Sequence, residues 1–161
     1  MPPTTVLLHA TNAALSLGRA LETLLPCTEI LIVDHVSSDA TRRVAREYGA
    51  RIVRAHPLAT AEHYLHQTSH DWILCIDPAE SLTEGLQASL FQWSSLPASS
   101  VADKPSFSLF VREQLSENWR TRPNPETRLV PRNWTQWNDL LPANSPSSIP
   151  LEGELLRLAF P

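Results

Sequence analysis

Four arginines, Arg120, Arg122, Arg128 and Arg132, fall within one short stretch of the chain. A guanidinium is a planar fork of N–H donors that matches phosphate oxygens, so this cluster is a candidate for holding a diphosphate. Its plainer reading is a solvated face with scattered ion pairs. His63, His66 and His70 recur at i, i+3 and i+7, the spacing of one helical face. Zinc needs three or four convergent ligands, and no H-E-x-x-H pattern accompanies them, so a surface stripe is expected. Asp139 is the only aspartate after Asp103, and a carboxylate there can deprotonate a hydroxyl as a general base. Trp119, Trp134 and Trp137 can stack on a sugar ring or anchor a small core. Neither G-x-G-x-x-G nor the P-loop pattern occurs, which argues against an ordinary dehydrogenase and a P-loop phosphotransferase.

The elements that must position these groups alternate. Apolar runs at 5–9, 29–34, 51–54 and 72–76 read as buried strands. Between them, Leu17, Leu21 and Leu24 keep helical spacing up to Pro26. Ala40, Val44 and Tyr48 share a helical face that Gly49 ends, and 58–69 reads as a weaker helix. Ser81 and Glu84 fit a capping box ahead of Leu86, Leu90 and Trp93. Nine of the fourteen prolines lie at or beyond Pro97, so 97–161 reads as loop-rich and 1–96 as regular. Strand–helix alternation with apolar strands predicts an α/β fold, a mostly parallel sheet with helices on both faces. Ligands in such sheets bind at the carboxyl ends of strands. That directs attention to Thr11, Asp34 and Asp77.

Composition narrows the class. A chain of 161 residues with 42% hydrophobic and 19% charged residues suits one folded domain. A net charge of -4 excludes a generally basic nucleic-acid coat. No apolar run reaches the roughly 18–20 residues of a membrane span. No basic region precedes Val6-Leu7-Leu8 as a secretory leader would require. Cys27 and Cys75 are too few for a disulfide scaffold, so two reduced thiols in a cytoplasmic protein are expected.

Three segments carry a resemblance. Residues 30–41, Ile-Leu-Ile-Val-Asp-His-Val-Ser-Ser-Asp-Ala-Thr, resemble the second-strand signature of family 2 glycosyltransferases, an apolar run followed by D-x-G-S-x-D-x-T. Residues 71–83, Asp-Trp-Ile-Leu-Cys-Ile-Asp-Pro-Ala-Glu-Ser-Leu-Thr, resemble that family's D-W-hydrophobic-D-A-D-E-x-L-T segment. Residues 128–132, Arg-Leu-Val-Pro-Arg, are similar to an R-L-F-x-R element of its bacterial cell-envelope members.

The resemblance implies a GT-A fold and sugar transfer from a nucleotide-sugar donor, expected to be a UDP-sugar. The implied acceptor is a saccharide or lipid-linked hydroxyl in cell-envelope or polysaccharide synthesis. The net charge argues against a nucleic-acid partner, and peripheral contact with a membrane is compatible with this reading. The resemblance implies that Asp34 reads the base and that Asp77 sits at the ribose and the metal. Thr11 lies at the end of the first strand, Arg128 or Arg132 faces the diphosphate, and Asp139 is the base. The implied cofactor is a divalent metal, Mn or Mg, held by Asp77 and Glu80. Three positions depart from the pattern: Ala13 and Ala79 stand where acids are usual, and Val36 where glycine is usual. With Ala79 in place of the second carboxylate, metal dependence is expected to be weak. Residues 1–96 would form the nucleotide-binding half and 97–161 the acceptor-side half of one domain. The rival readings are a non-catalytic relative that keeps the pocket and a nucleotidyltransferase, for which Leu15-Ser16-Leu17-Gly18-Arg19 is a poor first loop.

Overall fold

Along residues 4–10, side chains alternate between two apolar layers, with Val6, Leu8 and Ala10 in one and Leu7 in the other. The computed structural model describes residues 4–24, 27 and 29–159. The first half runs β1 (Thr4–Ala10), α1 (Ala14–Glu22), β2 (Glu29–Asp34), α2 (Thr41–Glu47), β3 (Arg51–Arg54), α3 (Ala61–Leu65), β4 (Trp72–Ile76), β5 (Glu80–Leu82) and α4 (Glu84–Ser94). The second runs α5 (Ala98–Val101), β6 (Phe107–Leu115), β7 (Asn118–Thr121), β8 (Glu126–Pro131), β9 (Trp137–Asn138), β10 (Leu141–Pro142) and β11 (Ile149–Arg157).

One sheet in the order β3-β2-β1-β4-β8-β6-β11-β5, with β7 beside β6, runs through both halves of the chain. Strands β3, β2, β1 and β4 are parallel, as right-handed strand–helix–strand crossovers require. Strand β8 reverses direction between β4 and β6, and β11 lies parallel to β6. On one face Leu17, Leu21, Leu86, Leu90 and Trp93 from α1 and α4 close over the sheet. There Trp72, Trp93 and Phe107 meet ring to ring at centroid distances of 5.5–5.8 Å. On the other face Tyr64 and Leu65 of α3 pack with Trp134 and Trp137. These two tryptophans are thus core anchors.

Sequence and structure differ in three places. The 58–69 helix shrinks to α3, one turn and a half. Ser81 does not cap α4; it lies in β5, which stays extended because it pairs with β11. The cap is Thr83, whose Oγ1 accepts from Leu86 N at 3.3 Å and donates to the Glu154 carbonyl at 2.8 Å. Among the described residues the proline-rich second half carries six strands. Its prolines sit where a missing N–H costs little: Pro131 ends β8, Pro142 ends β10, and Pro150 borders the irregularity in β11. Pro26 lies outside the described residues.

That irregularity rests on Gly153, at φ +94°. A Cβ there would lie 2.3 Å from Leu86 N, so β11 approaches α4 as only glycine allows. Gly49, at φ +75°, has no atom within 4 Å of where a Cβ would stand and serves only as a helix stop. Gly153→Ala should therefore cost more than about 3 kcal/mol, overpacking added to left-handed strain, whereas Gly49→Ala should cost about 1–2 kcal/mol. Urea denaturation of the two variants checks this, and equal losses would contradict the close approach.

Candidate functional site

The turn after β4 is built on one buried ion pair. Pairing of β5 with β11 sets Glu80 opposite Arg157 and holds the Glu80 side chain wholly inside, at 0% exposure. Arg128 of β8, equally hidden, donates Nη1 to Glu80 Oε1 at 2.7 Å and Nη2 to Oε2 at 2.8 Å. It also donates to the Cys75 carbonyl at 3.2 Å and to Glu126 Oε1 at 3.2 Å. Asp77 N donates to Glu80 Oε1 at 2.8 Å, which ties the turn to the pair. Burial alone would raise the Glu80 carboxyl, but the Arg128 bonds outweigh it and hold it below its ordinary value. Burial alone would lower Arg128, and the same bonds hold it above its ordinary value. Both residues are charged, each held chiefly by the other.

Two expectations therefore need correction. Arg128 does not face a diphosphate, and Glu80 does not offer its carboxylate to a metal, because each is spent on the other.

Above the pair opens a cleft of about 460 Å³, lined by His9, Thr11, Asn12, Ser16, Asp77 and Arg157 among others. It lies at the carboxyl ends of β1 and β4, where an α/β sheet binds ligands. Thr11 and Asp77 are thus brought together. Asp77 is partly exposed, accepts from Ala79 N at 2.9 Å and lies 3.5 Å from Arg157 Nη1. Asp34 lies across β1, buried, accepting from Ser37 N at 3.1 Å and paired with Arg42 at 3.6 Å. It does not line the cleft. Instead it orders the 35–38 loop, which exchanges hydrogen bonds with Asn12 through Ser37 Oγ at 3.0 Å and Ser38 N at 2.8 Å. Asp39 clamps the start of α1, accepting from Ala14 N at 3.2 Å and from Thr41. Val36, at φ 57°, keeps the left-handed backbone that a glycine would adopt freely.

Arg132 lies at the opposite end of the sheet. Strand β8 is antiparallel to β4 with Pro131 opposite Trp72, so the next residue falls at the amino end of β4. There Arg132 Nη1 donates to the Thr68 carbonyl at 3.1 Å, in a cavity of about 680 Å³ shared with Lys104. It cannot reach a diphosphate in the cleft. Asp139, at φ 57°, lines a separate depression of about 390 Å³ with Thr60 and Trp137. The histidines do not form one stripe: α3 ends at Leu65, His63 and His66 are exposed, and His70 Nδ1 is bonded to Thr5 Oγ1 at 2.9 Å.

Two contributors escaped the sequence reading. Arg157 ends β11, after the apolar pair Leu155-Leu156 whose strand character was the available signal. His9 ends the first apolar run, and its Nδ1 lies within hydrogen-bond distance of His35 Nε2, at 2.9 Å. Burial, aided by His35, pushes His9 down to about 4. Burial also pushes the thiols of Cys27 and Cys75 up to about 12, so neither is a thiolate nucleophile.

A divalent cation favours several hard oxygen ligands. Among the described residues the cleft offers one carboxylate, Asp77, with Ala79 beside it and Glu80 consumed below. This donor set does not fit a tightly held divalent metal.

No protein-family model matches the chain, and no curated protein matches it in sequence. Among solved structures it is similar to TarS of S. aureus, with a TM-score of 0.62 and 13% identity over 98% of this chain and 37% of that one. It is similar to the 1–349 form of TarS with a TM-score of 0.53 and 15% identity, over 76% of this chain and 38% of that one. It is also similar to glucosyl-3-phosphoglycerate synthase from Mycobacterium tuberculosis in complex with Mn2+, UDP and glucosyl-3-phosphoglycerate. That match has a TM-score of 0.47 and 18% identity, over 70% of this chain and 44% of that one. The chain therefore spans less than half the length of these neighbours. The neighbours are GT-A glycosyltransferases, and the fold of this chain is of that α/β type.

The low His9 value has a consequence for stability. A histidine held neutral in the fold takes up its proton only on unfolding, so stability falls as pH drops below the unfolded value near 6.5 and levels off near 4. Between pH 6.5 and 5, above the range where carboxylates titrate, His9 should account for a loss of about 1–2 kcal/mol. Urea denaturation at several pH values should show this slope and its flattening in His9→Gln. An unchanged slope in that variant would contradict it.

Proposed function

We propose that the cleft binds a nucleotide sugar and that the chain is a glycosyltransferase domain passing the sugar to an acceptor hydroxyl. The observation that carries this reading is the opposition of Asp77 and Arg157 at the carboxyl end of β4, on a GT-A sheet. A carboxylate accepts from ribose hydroxyls, and a guanidinium meets phosphate oxygens. Thr11 and Asn12 line the cleft beside them. The segments at 30–41 and 71–83 support the finer proposal of a family 2 hexosyltransferase using a UDP-sugar. Its acceptor would be a saccharide or lipid-linked hydroxyl in cytoplasmic cell-envelope synthesis. No helix among the described residues is long and apolar enough to cross a membrane.

A second reading, nucleotide binding without transfer, has its own support. Among the described residues the one carboxylate lining the cleft is engaged by Arg157, and Asp139 lies in another depression. A base for the acceptor hydroxyl would then have to come from Asp77 itself, released when the diphosphate draws Arg157 away.

Calorimetric titration with UDP and UDP-glucose tests the shared claim, and release of UDP from UDP-glucose with a sugar acceptor separates transfer from binding alone. UDP should bind, and Asp77→Asn should weaken binding by about tenfold or more, the loss of a charge-assisted hydrogen bond. Failure of UDP to bind, or unaltered affinity in Asp77→Asn, would remove the nucleotide reading.

A further inference from the structure

Resting on the nucleotide reading of the cleft, we propose that Arg157 supplies the positive charge that balances the donor's diphosphate, so that binding needs no divalent metal. Arg157 Nη1 lies 3.5 Å from Asp77 Oδ1 and 3.7 Å from Glu80 Oε2, between the exposed carboxylate and the buried one. A guanidinium thus stands between the two acids of the β4 turn, beside the one, Asp77, that faces the cleft. Both contacts are electrostatic only. None of the five N–H donors of Arg157 makes a hydrogen bond to a described residue, so the fork is free to turn onto phosphate oxygens.

The rest of the cleft fits this role. Arg157 is 36% exposed and lines the cavity, whereas Arg128 is buried. Its position is not left to a flexible tail. Arg157 pairs in register with Glu80 on β5 and Glu113 on β6, and the next residue, Leu158, donates its N–H to the Ala79 carbonyl at 3.1 Å. The guanidinium is therefore tied to the same turn that presents Asp77. The charge balance agrees: Glu80 is neutralised by Arg128, and Asp77 by Arg157. When a diphosphate draws Arg157 across, Asp77 is left to accept from hydroxyls of the sugar or ribose. Ala79 completes the pattern, since a second carboxylate there would compete for Arg157 and restore a metal site.

The test is calorimetry of the intact chain with UDP and with uridine, first in EDTA and then with Mn2+ in place of the chelator. UDP is expected to bind in EDTA with affinity changed by Mn2+ by less than about threefold. Arg157→Gln should lose about ten- to hundredfold for UDP, one charge-assisted contact, while uridine, which lacks phosphate, is unaffected. Arg157→Lys should recover part of the loss, and Ala79→Asp should make UDP binding respond to Mn2+. Retained uridine binding shows that a weakened variant is folded. Binding of UDP only with Mn2+, or unaltered UDP affinity in Arg157→Gln, would overturn this inference and leave the nucleotide reading standing. Failure of both UDP and uridine to bind under either condition would overturn both.

Discussion

Arg128 and Glu80 each carry a full charge into the interior, where removal of an ion from water costs several kcal/mol. They are tolerable there only because two parallel hydrogen bonds join them and the remaining donors and acceptors find the Cys75 carbonyl, Glu126 and the Asp77 amide. The pair links β8 to β5, strands that are not neighbours in the sheet, and it sits directly under the turn that carries Asp77. With Glu80 drawn inward, the turn must place Asp77 on the outer side. With Glu80 registered against Arg157, the end of β11 must come to the same spot. The composition of the cleft follows from where one carboxylate is buried.

The pair is also one link in a longer alternation. Arg120 and Arg122 both hold Glu113, Arg122 reaches Glu126 at 2.5 Å, Glu126 meets Arg128, and Arg157 bridges Glu80 and Asp77. The outer links are exposed and contribute little singly. The inner ones gain from low local dielectric, and Arg122, Arg128 and Arg157 each have two acid partners. The arginine cluster that stood out in the sequence is thus mostly structural. Its members Arg120, Arg122 and Arg128 are spent on carboxylates of β5, β6 and β8, and Arg132 is carried to the far end of the sheet by the antiparallel run of β8. The cation available to a ligand comes instead from the last strand.

How much was legible in the sequence follows from the range of the interactions. Residues 30–33 and 72–76 are continuous apolar runs because their strands are covered on both faces, and Asp34 and Asp77 follow them as expected. The parallel order and the strand-end location of the cleft followed from that alternation. The second half was less legible because its strands are short, edged by proline and held by distant partners, as β5 is by β11 across more than seventy residues of chain. Glu80 in Pro-Ala-Glu-Ser reads as an exposed turn acid, and nothing local marks its burial. A faint signal existed in Arg128, a charge next to the apolar pair Leu129-Val130, which in a buried strand demands a partner. Gly153 gave no sign of its close approach to α4, although Arg157 depends on it for its path.

The most direct measurement is a double-mutant cycle between Glu80→Gln and Arg128→Met, read as unfolding free energy in urea. If the pair organises the turn, each single variant strands a buried charge and loses about 3–5 kcal/mol. The double variant then loses clearly less than the sum, with a coupling of about 2 kcal/mol or more. Losses that add to within about 0.5 kcal/mol would contradict it, for then the two residues would act independently and the cleft would owe its arrangement to something else.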